Sequence, residues 1–276
     1  MHNSGEGGAT RHRGPGAGLS PAAQPGCAGA CGATFSTPFT MAFQPIVDIT
    51  EQRIVAHEAL VRGPGGESAA SILAAVTPDT LYAFDQACRT KAIELAVRLG
   101  LPARLNINFL PNAVYEPLAC IQATLAAAHR SGLALDRLTF EMVETEDVAA
   151  PGHLRRIVET YRQIGFRIAL DDYGTGHSGL LRLSELRPDS IKVDRQLVAG
   201  ISEVRMHQAM MRAVLGFCEE VGIEAIFEGV ETEAEVRTLQ ALGARYMQGF
   251  HFARPALERM GTVAEITWPE LHGTQG

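Results

Sequence analysis

From Phe39 onward, short apolar runs alternate with longer stretches in which apolar residues recur every three or four positions. The short runs are rich in β-branched and aromatic residues, as strands are: 40–47, 54–60, 104–109, 138–143, 167–172, 190–194, 224–230 and 246–252. Helical spacing marks 78–100, 118–132, 152–165, 179–186, 204–222 and 233–243. Most of these stretches close on a glycine, the expected stop, because the residue after a helix favours a left-handed backbone. Eight strands with helices between them predict an α/β chain folded as one (β/α)8 TIM-like barrel. A doubly wound open sheet is the alternative, but no Gly-x-Gly-x-x-Gly loop follows an early strand.

Composition divides the chain. Residues 1–38 are rich in Gly, Ala and Pro with few large apolar side chains, so they cannot offset their ordering entropy and are expected to form a disordered tail. The folded domain is expected over 39–266, with a C-terminal tail over 267–276. The chain is 46% hydrophobic and 20% charged, with a formal charge of −7. Its Lys and Arg are scattered, which argues against DNA binding, since that needs a basic footprint. No apolar run is long enough to insert in a membrane and no basic-then-apolar leader opens the chain, so a cytoplasmic protein is expected. Of five cysteines, Cys88, Cys120 and Cys218 sit singly in apolar, helix-like contexts and read as buried free thiols. Cys27 and Cys31 lack the second pair that a zinc set requires.

The chemistry collects where predicted strands end, which in such a barrel is the catalytic face. Glu58 falls late in the second strand and Asn108 in the third, while Glu141 and Glu144 close the fourth. Asp171 and Asp172 close the fifth, followed by Gly174 and Gly176, where the chain can turn sharply. Adjacent strand residues point to opposite faces, so both aspartates can serve one site only where the strand is ending. Lys192 lies late in the sixth strand, with Asp194 following; Glu228 and Glu231 end the seventh and Gln248 is on the eighth. As a purely structural cluster these carboxylates would repel one another severely. An all-oxygen donor set selects hard cations such as Mg²⁺, Mn²⁺ or Ca²⁺, and this one suffices for two ions, the arrangement used for displacement at phosphorus. Lys192 has three readings: a Schiff-base nucleophile, a structural ion pair, or a cation that steadies an attacking hydroxide or the charge at phosphorus. The carboxylates around it would raise its pKa, which disfavours the first.

Several motifs carry a resemblance. Phe-Gln-Pro-Ile-Val-Asp (43–48), His-Glu-Ala-Leu-Val-Arg (57–62), Leu-Asn-Ile-Asn-Phe (105–109), Phe-Glu-Met-Val-Glu-Thr-Glu (140–146), Asp-Asp-Tyr-Gly-Thr-Gly-His-Ser (171–178), Ile-Lys-Val-Asp-Arg (191–195), Glu-Gly-Val-Glu-Thr (228–232) and Gln-Gly-Phe-His-Phe (248–252) together resemble the EAL-domain cyclic di-GMP phosphodiesterases. The resemblance implies two Mg²⁺ or Mn²⁺ ions that activate a water to open cyclic di-GMP to linear pGpG. By position it implies metal ligation by Glu58, Asn108, Glu141, Asp171 and Asp172, with Gln248 in the metal–water shell. It further implies Lys192 on the nucleophilic water, Glu228 as general base or indirect ligand, and Gln44 and Arg62 as substrate contacts. Glu144 is implied to hold the Asp-Asp loop and contribute to a homodimer; Glu231 and Asp194 are expected just outside the ligand set. A separate sensor or signalling protein is an expected partner, since no sensor domain is visible. The chain departs from the family where Arg62 is followed by Gly-Pro-Gly-Gly, at Leu-Pro (110–111), and over 77–88, which puts the outer substrate pocket in question. Two rival readings are a catalytically silent barrel acting as a cyclic di-GMP receptor and a Schiff-base lyase.

Overall fold

The first two strands form a hairpin with no helix between them. In the computed structural model, which describes residues 34–143, 152–176 and 179–269, β1 (Thr40–Asp48) runs antiparallel to β2 (Arg53–Arg62). Asp48 fixes the turn: fully buried, it accepts from the amides of Thr50 and Glu51 at 3.1 Å and from Arg245 at 2.7 Å. The remaining barrel strands are β3 (Arg104–Asn108), β4 (Leu138–Val143), β5 (Arg167–Tyr173), β6 (Ser190–Val193), β7 (Glu224–Phe227) and β8 (Tyr246–Met247). From β2 to β8 they pair in parallel in chain order, and β1 closes the ring by pairing antiparallel with β8 as well. The predicted eight-stranded barrel is thus present, with its first strand reversed. A short β9 (Ala256–Leu257) adds to the outer edge of β1.

Helices α1 (Ala69–Leu73), α2 (Leu81–Arg98), α3 (Pro117–Cys120), α4 (Gln122–Ser131), α5 (His153–Ile164), α6 (Gly179–Leu186), α7 (Arg195–Val198), α8 (Arg205–Val221) and α9 (Glu233–Ala241) connect the strands. Two of the predicted glycine stops, Gly132 and Gly222, end α4 and α8 at φ 68° and 73°. The predicted helix over 118–132 is divided near Ile121 into α3 and α4. Between the strands and α5, the rings of Phe109, Phe140, Tyr161 and Phe166 interlock with centroids 5.0–6.0 Å apart. At the N-terminal end of the strands, Glu224 lies 3.0 Å from Arg104 and 3.1 Å from Arg167.

The predicted seventh and eighth strands are longer than those observed. β7 gives way at Glu228 and β8 at Gln248, where Gly249 passes so close to Val230 that a Cβ there would lie 2.0 Å from its carbonyl oxygen. At the N-terminus, packing begins earlier than residue 39. The Phe35 ring stands 4.8 Å from that of Phe84 and 6.0 Å from that of Phe39. At the other end Trp268, placed by the sequence reading in a tail, packs against the core. No helix among the described residues is long and apolar enough to cross a membrane.

Candidate active site

Strand alternation turns a column of polar side chains into the barrel mouth. Gln44 on β1 faces Glu58 on β2 in register, and Asn108 on β3 faces Glu141 on β4. At their centre is Lys192 from β6, 1% exposed, whose ammonium lies 2.6 Å from Glu228, 3.0 Å from Glu141, 3.2 Å from Glu58 and 3.4 Å from Asp171. Amides tie the ring together. Asn108 donates to Glu58 Oε1 at 3.0 Å, and Gln248 donates to Glu58 Oε2 at 2.8 Å and to Gln44 Oε1 at 3.3 Å.

The aspartate pair reaches the mouth by a route that the sequence did not suggest. β5 does not end at Asp172 but runs on to Tyr173, and its pairing with β6 becomes irregular between Leu170 and Tyr173. Asp172 takes φ 54°, a left-handed conformation that non-glycine residues adopt at a cost of roughly 1–3 kcal/mol. This reverses the alternation locally. Asp171, Asp172 and Glu228 each offer a carboxylate oxygen, all within 4.8 Å of one another. Asp194 caps α7 by accepting from Gln196 N at 2.7 Å, and its carboxyl group meets that of Asp172.

Other predicted residues stand apart from this cluster. Arg62, at the end of β2, donates to the carbonyl of Val61 at 2.7 Å. Glu231 is paired with Arg195 at 3.0 Å on the rim. Glu144 lies outside the described residues, as do His177 and Ser178. Conversely, Asn106, 2% exposed, donates to Glu141 Oε1 at 2.7 Å and belongs to the site. The signal for it was present: two residues before Asn108, it shares that residue's face of the strand. Arg195 lines the cleft together with Gln44, Glu58, Glu228, Gly229, Glu231, Gln248, Gly249 and Phe250, around a volume of about 140 Å³.

The electrostatics identify what the cluster needs. Five carboxylates (Glu58, Glu141, Asp171, Asp172 and Glu228) surround one ammonium. Burial pushes Glu228 up to about 8, helped by Asp171 and Glu58 and opposed by Lys192. Burial and then Asp171 push Asp172 up to about 6. Burial holds Glu141 well above the usual carboxylate range and raises Asp171 as well. Glu58 is the exception: burial works to raise it, but Lys192, Gln248 and Asn108 together hold it low. Lys192 is raised well above its ordinary value, its four carboxylates overcoming the effect of burial. A site of hard oxygen donors with surplus negative charge fits divalent cations, and the buried Gln248 Oε1, free of any hydrogen-bond partner among the described residues, fits a metal-bound water.

Comparison with known proteins gives the same direction. The family model described as the EAL domain matches residues 34–255. A standalone EAL protein from Vibrio cholerae O395, solved with c-di-GMP bound, is 44% identical, with a TM-score of 0.80 over 83% of this chain and 97% of that one. BlrP1 from Klebsiella pneumoniae, solved with manganese and cyclic di-GMP and also with calcium, is 36% identical, with a TM-score of 0.79 over 84% of this chain and 58% of that one. The probable cyclic di-GMP phosphodiesterase PdeN of Escherichia coli K12 is 28% identical over 231 residues, 79% of this chain and 43% of PdeN. The chain spans about half the length, or less, of the curated relatives it matches.

Proposed function

The chain belongs to the EAL domain family, and on that premise we propose that it hydrolyses cyclic di-GMP to linear pGpG, dependent on two divalent ions, Mg²⁺ or Mn²⁺. The observation that carries this reading is the five-carboxylate mouth balanced by the single ammonium of Lys192. Glu58, Asn108, Glu141, Asp171 and Asp172 would hold the ions, with Gln248 orienting a coordinated water. When bound, the ions lower the pKa of that water and neutralise charge developing on the phosphate oxygens.

The chain's own residues do the rest. Lys192 keeps its proton and steadies the attacking oxygen by charge-assisted hydrogen bonding. Glu228, its carboxyl raised by burial and 2.6 Å from Lys192, accepts the proton that the water loses. The water oxygen bonds to phosphorus, the P–O3′ bond breaks, and the leaving 3′ oxygen takes up a proton from solvent. Gln44 and Arg62 contact the substrate, while Glu231 and Asp194 hold the rim and Asp172. Glu144 keeps the role that the family resemblance gives it, steadying the Asp-Asp loop. A homodimer is supported by Leu180 and Leu181 of α6, 66% and 62% exposed just beyond that loop. A separate sensor or signalling protein and a cytoplasmic setting complete the reading. The test is incubation with cyclic di-GMP in EDTA, Mg²⁺, Mn²⁺ or Ca²⁺, with products resolved by chromatography. Linear pGpG is expected with Mg²⁺ or Mn²⁺ only, because Ca²⁺ activates water poorly. Binding without hydrolysis under every condition would instead make the chain a receptor.

A further inference from the structure

Behind the site, outside the barrel, lies an ion pair that the chemistry above does not use. Asp85 and Arg89 are one turn apart on α2, 3% and 0% exposed, with Arg89 Nη2 2.6 Å from Asp85 Oδ2. Within the fold the guanidinium is engaged by the Asp85 carboxylate and, more loosely, by the Tyr161 hydroxyl. A buried pair of this kind is a poor source of stability, because desolvation can cancel its attraction. What each partner touches next suggests another reason for it.

The second oxygen of Asp85, Oδ1, accepts from the backbone amide of Leu110 at 3.1 Å. Leu110 is two residues beyond Asn108, and between them the amide of Phe109 donates to the carbonyl of Glu141 at 3.0 Å. The end of β3 is therefore pinned on one side to β4 and on the other to α2. A cavity of about 260 Å³, lined by Asn108, Leu110, Asp85, Phe84 and Cys88 among others, adjoins this segment, so packing alone does not fix it. The guanidinium of Arg89 meanwhile lies 5.9 Å from the ring centroid of Phe140, the residue before Glu141, within cation–π range.

We propose that Asp85, charge-balanced by Arg89, is a positioning residue for the catalytic centre, setting Asn108 through the Leu110 amide. This rests on the hydrolytic reading of the site. Asn108 and Glu141 meet across the β3–β4 ladder, so an error at either moves the donor set as a unit. A misplacement of about 1 Å can cost about a hundredfold in rate.

Two charge-neutral double variants separate positioning from stability. Asp85→Asn/Arg89→Met keeps an acceptor for the Leu110 amide, whereas Asp85→Leu/Arg89→Met removes it. Both variants remove the two charges together, so neither leaves a buried charge uncompensated, and both are expected to fold. The Asn variant is expected to stay within about threefold of wild type in kcat and in the Mn²⁺ concentration for half-maximal activity. The Leu variant is expected to lose at least about tenfold in kcat, to need more Mn²⁺, and to show faster hydrogen exchange at Leu110. If the two variants match each other in all three measurements, the anchor positions nothing and the proposal is overturned. If wild type itself fails to hydrolyse cyclic di-GMP, the functional reading falls. The anchor is then judged by Mn²⁺ binding, followed by calorimetry, and by Leu110 exchange, neither of which needs turnover.

Discussion

Replacing Lys192 by methionine keeps the length of the side chain and removes the one positive charge in contact with four carboxylates, three buried and one half-buried, which lie 2.6–3.4 Å away. At an effective dielectric constant of about 20, one such pair near 3 Å is worth about 5 kcal/mol. Four pairs do not add to four times that figure, because the ammonium loses its hydration and the carboxylates repel one another. The expected net loss is that of breaking a buried pair, about 3–5 kcal/mol. Since each kcal/mol shifts the melting point of a domain of this size by about 2–4 °C, the Tm in EDTA should fall on the order of 10 °C. Divalent ions restore positive charge at the same place, so saturating Mg²⁺ should raise the Tm of the variant more than that of wild type. With substrate, kcat should drop roughly 10²–10³-fold with little change in KM, because the interaction strengthens as charge develops. The assays are thermal unfolding of both proteins with EDTA and with Mg²⁺, and product formation with Mg²⁺. A variant that melts with wild type in EDTA, or gains the same increment from Mg²⁺, would refute the charge-balance argument even if activity were lost.

Four further outcomes follow from the structure. Because Glu228 and Asp172 have raised pKa values, about 8 and about 6, the metal-free folded state holds protons that the unfolded chain releases, and its stability should fall between about pH 4.5 and 8. The gap between Mg²⁺ and EDTA melting points should therefore widen over that range, and a constant gap would contradict it. His57 is fully buried and burial lowers its pKa to about 4, so folding is opposed as the unfolded chain protonates between pH 6.5 and 4. His57→Leu should gain on wild type by up to about 3 kcal/mol across that interval, read by urea unfolding at several pH values. Removing residues 1–33 should leave Tm unchanged, whereas a deletion that continues through Phe35 should lower it by roughly 1–3 kcal/mol of lost ring packing against Phe84 and Phe39. Leu181→Lys, at a side chain that is 62% exposed, should weaken self-association in sedimentation while leaving Tm at concentrations too low for association unchanged, and an unaltered sedimentation profile would remove this surface from the dimer.

The sequence by itself determined the number and order of the barrel strands, the ends of most helices and most of the donor set. Those follow from local rules: apolar runs of strand length, helical spacing, glycine where a helix must stop, and carboxylates where strands give out. Glu58, Asn108, Glu141 and Lys192 were legible because the alternation of a strand, once its span is known, assigns each side chain a face, and Gln248 because it directly follows β8. Three things needed the tertiary structure. The reversal of β1 depends on the buried turn at Asp48 and on Arg245, nearly two hundred residues away. Spacing cannot show that Asp172 joins Asp171, because that rests on one backbone angle which the surrounding strands enforce. The Asp85–Leu110 anchor joins a helix to a strand end 25 positions further on, and only the folded chain brings its two partners together. Periodicity reports which side of its own element a residue faces; which element stands opposite is decided by how the barrel closes.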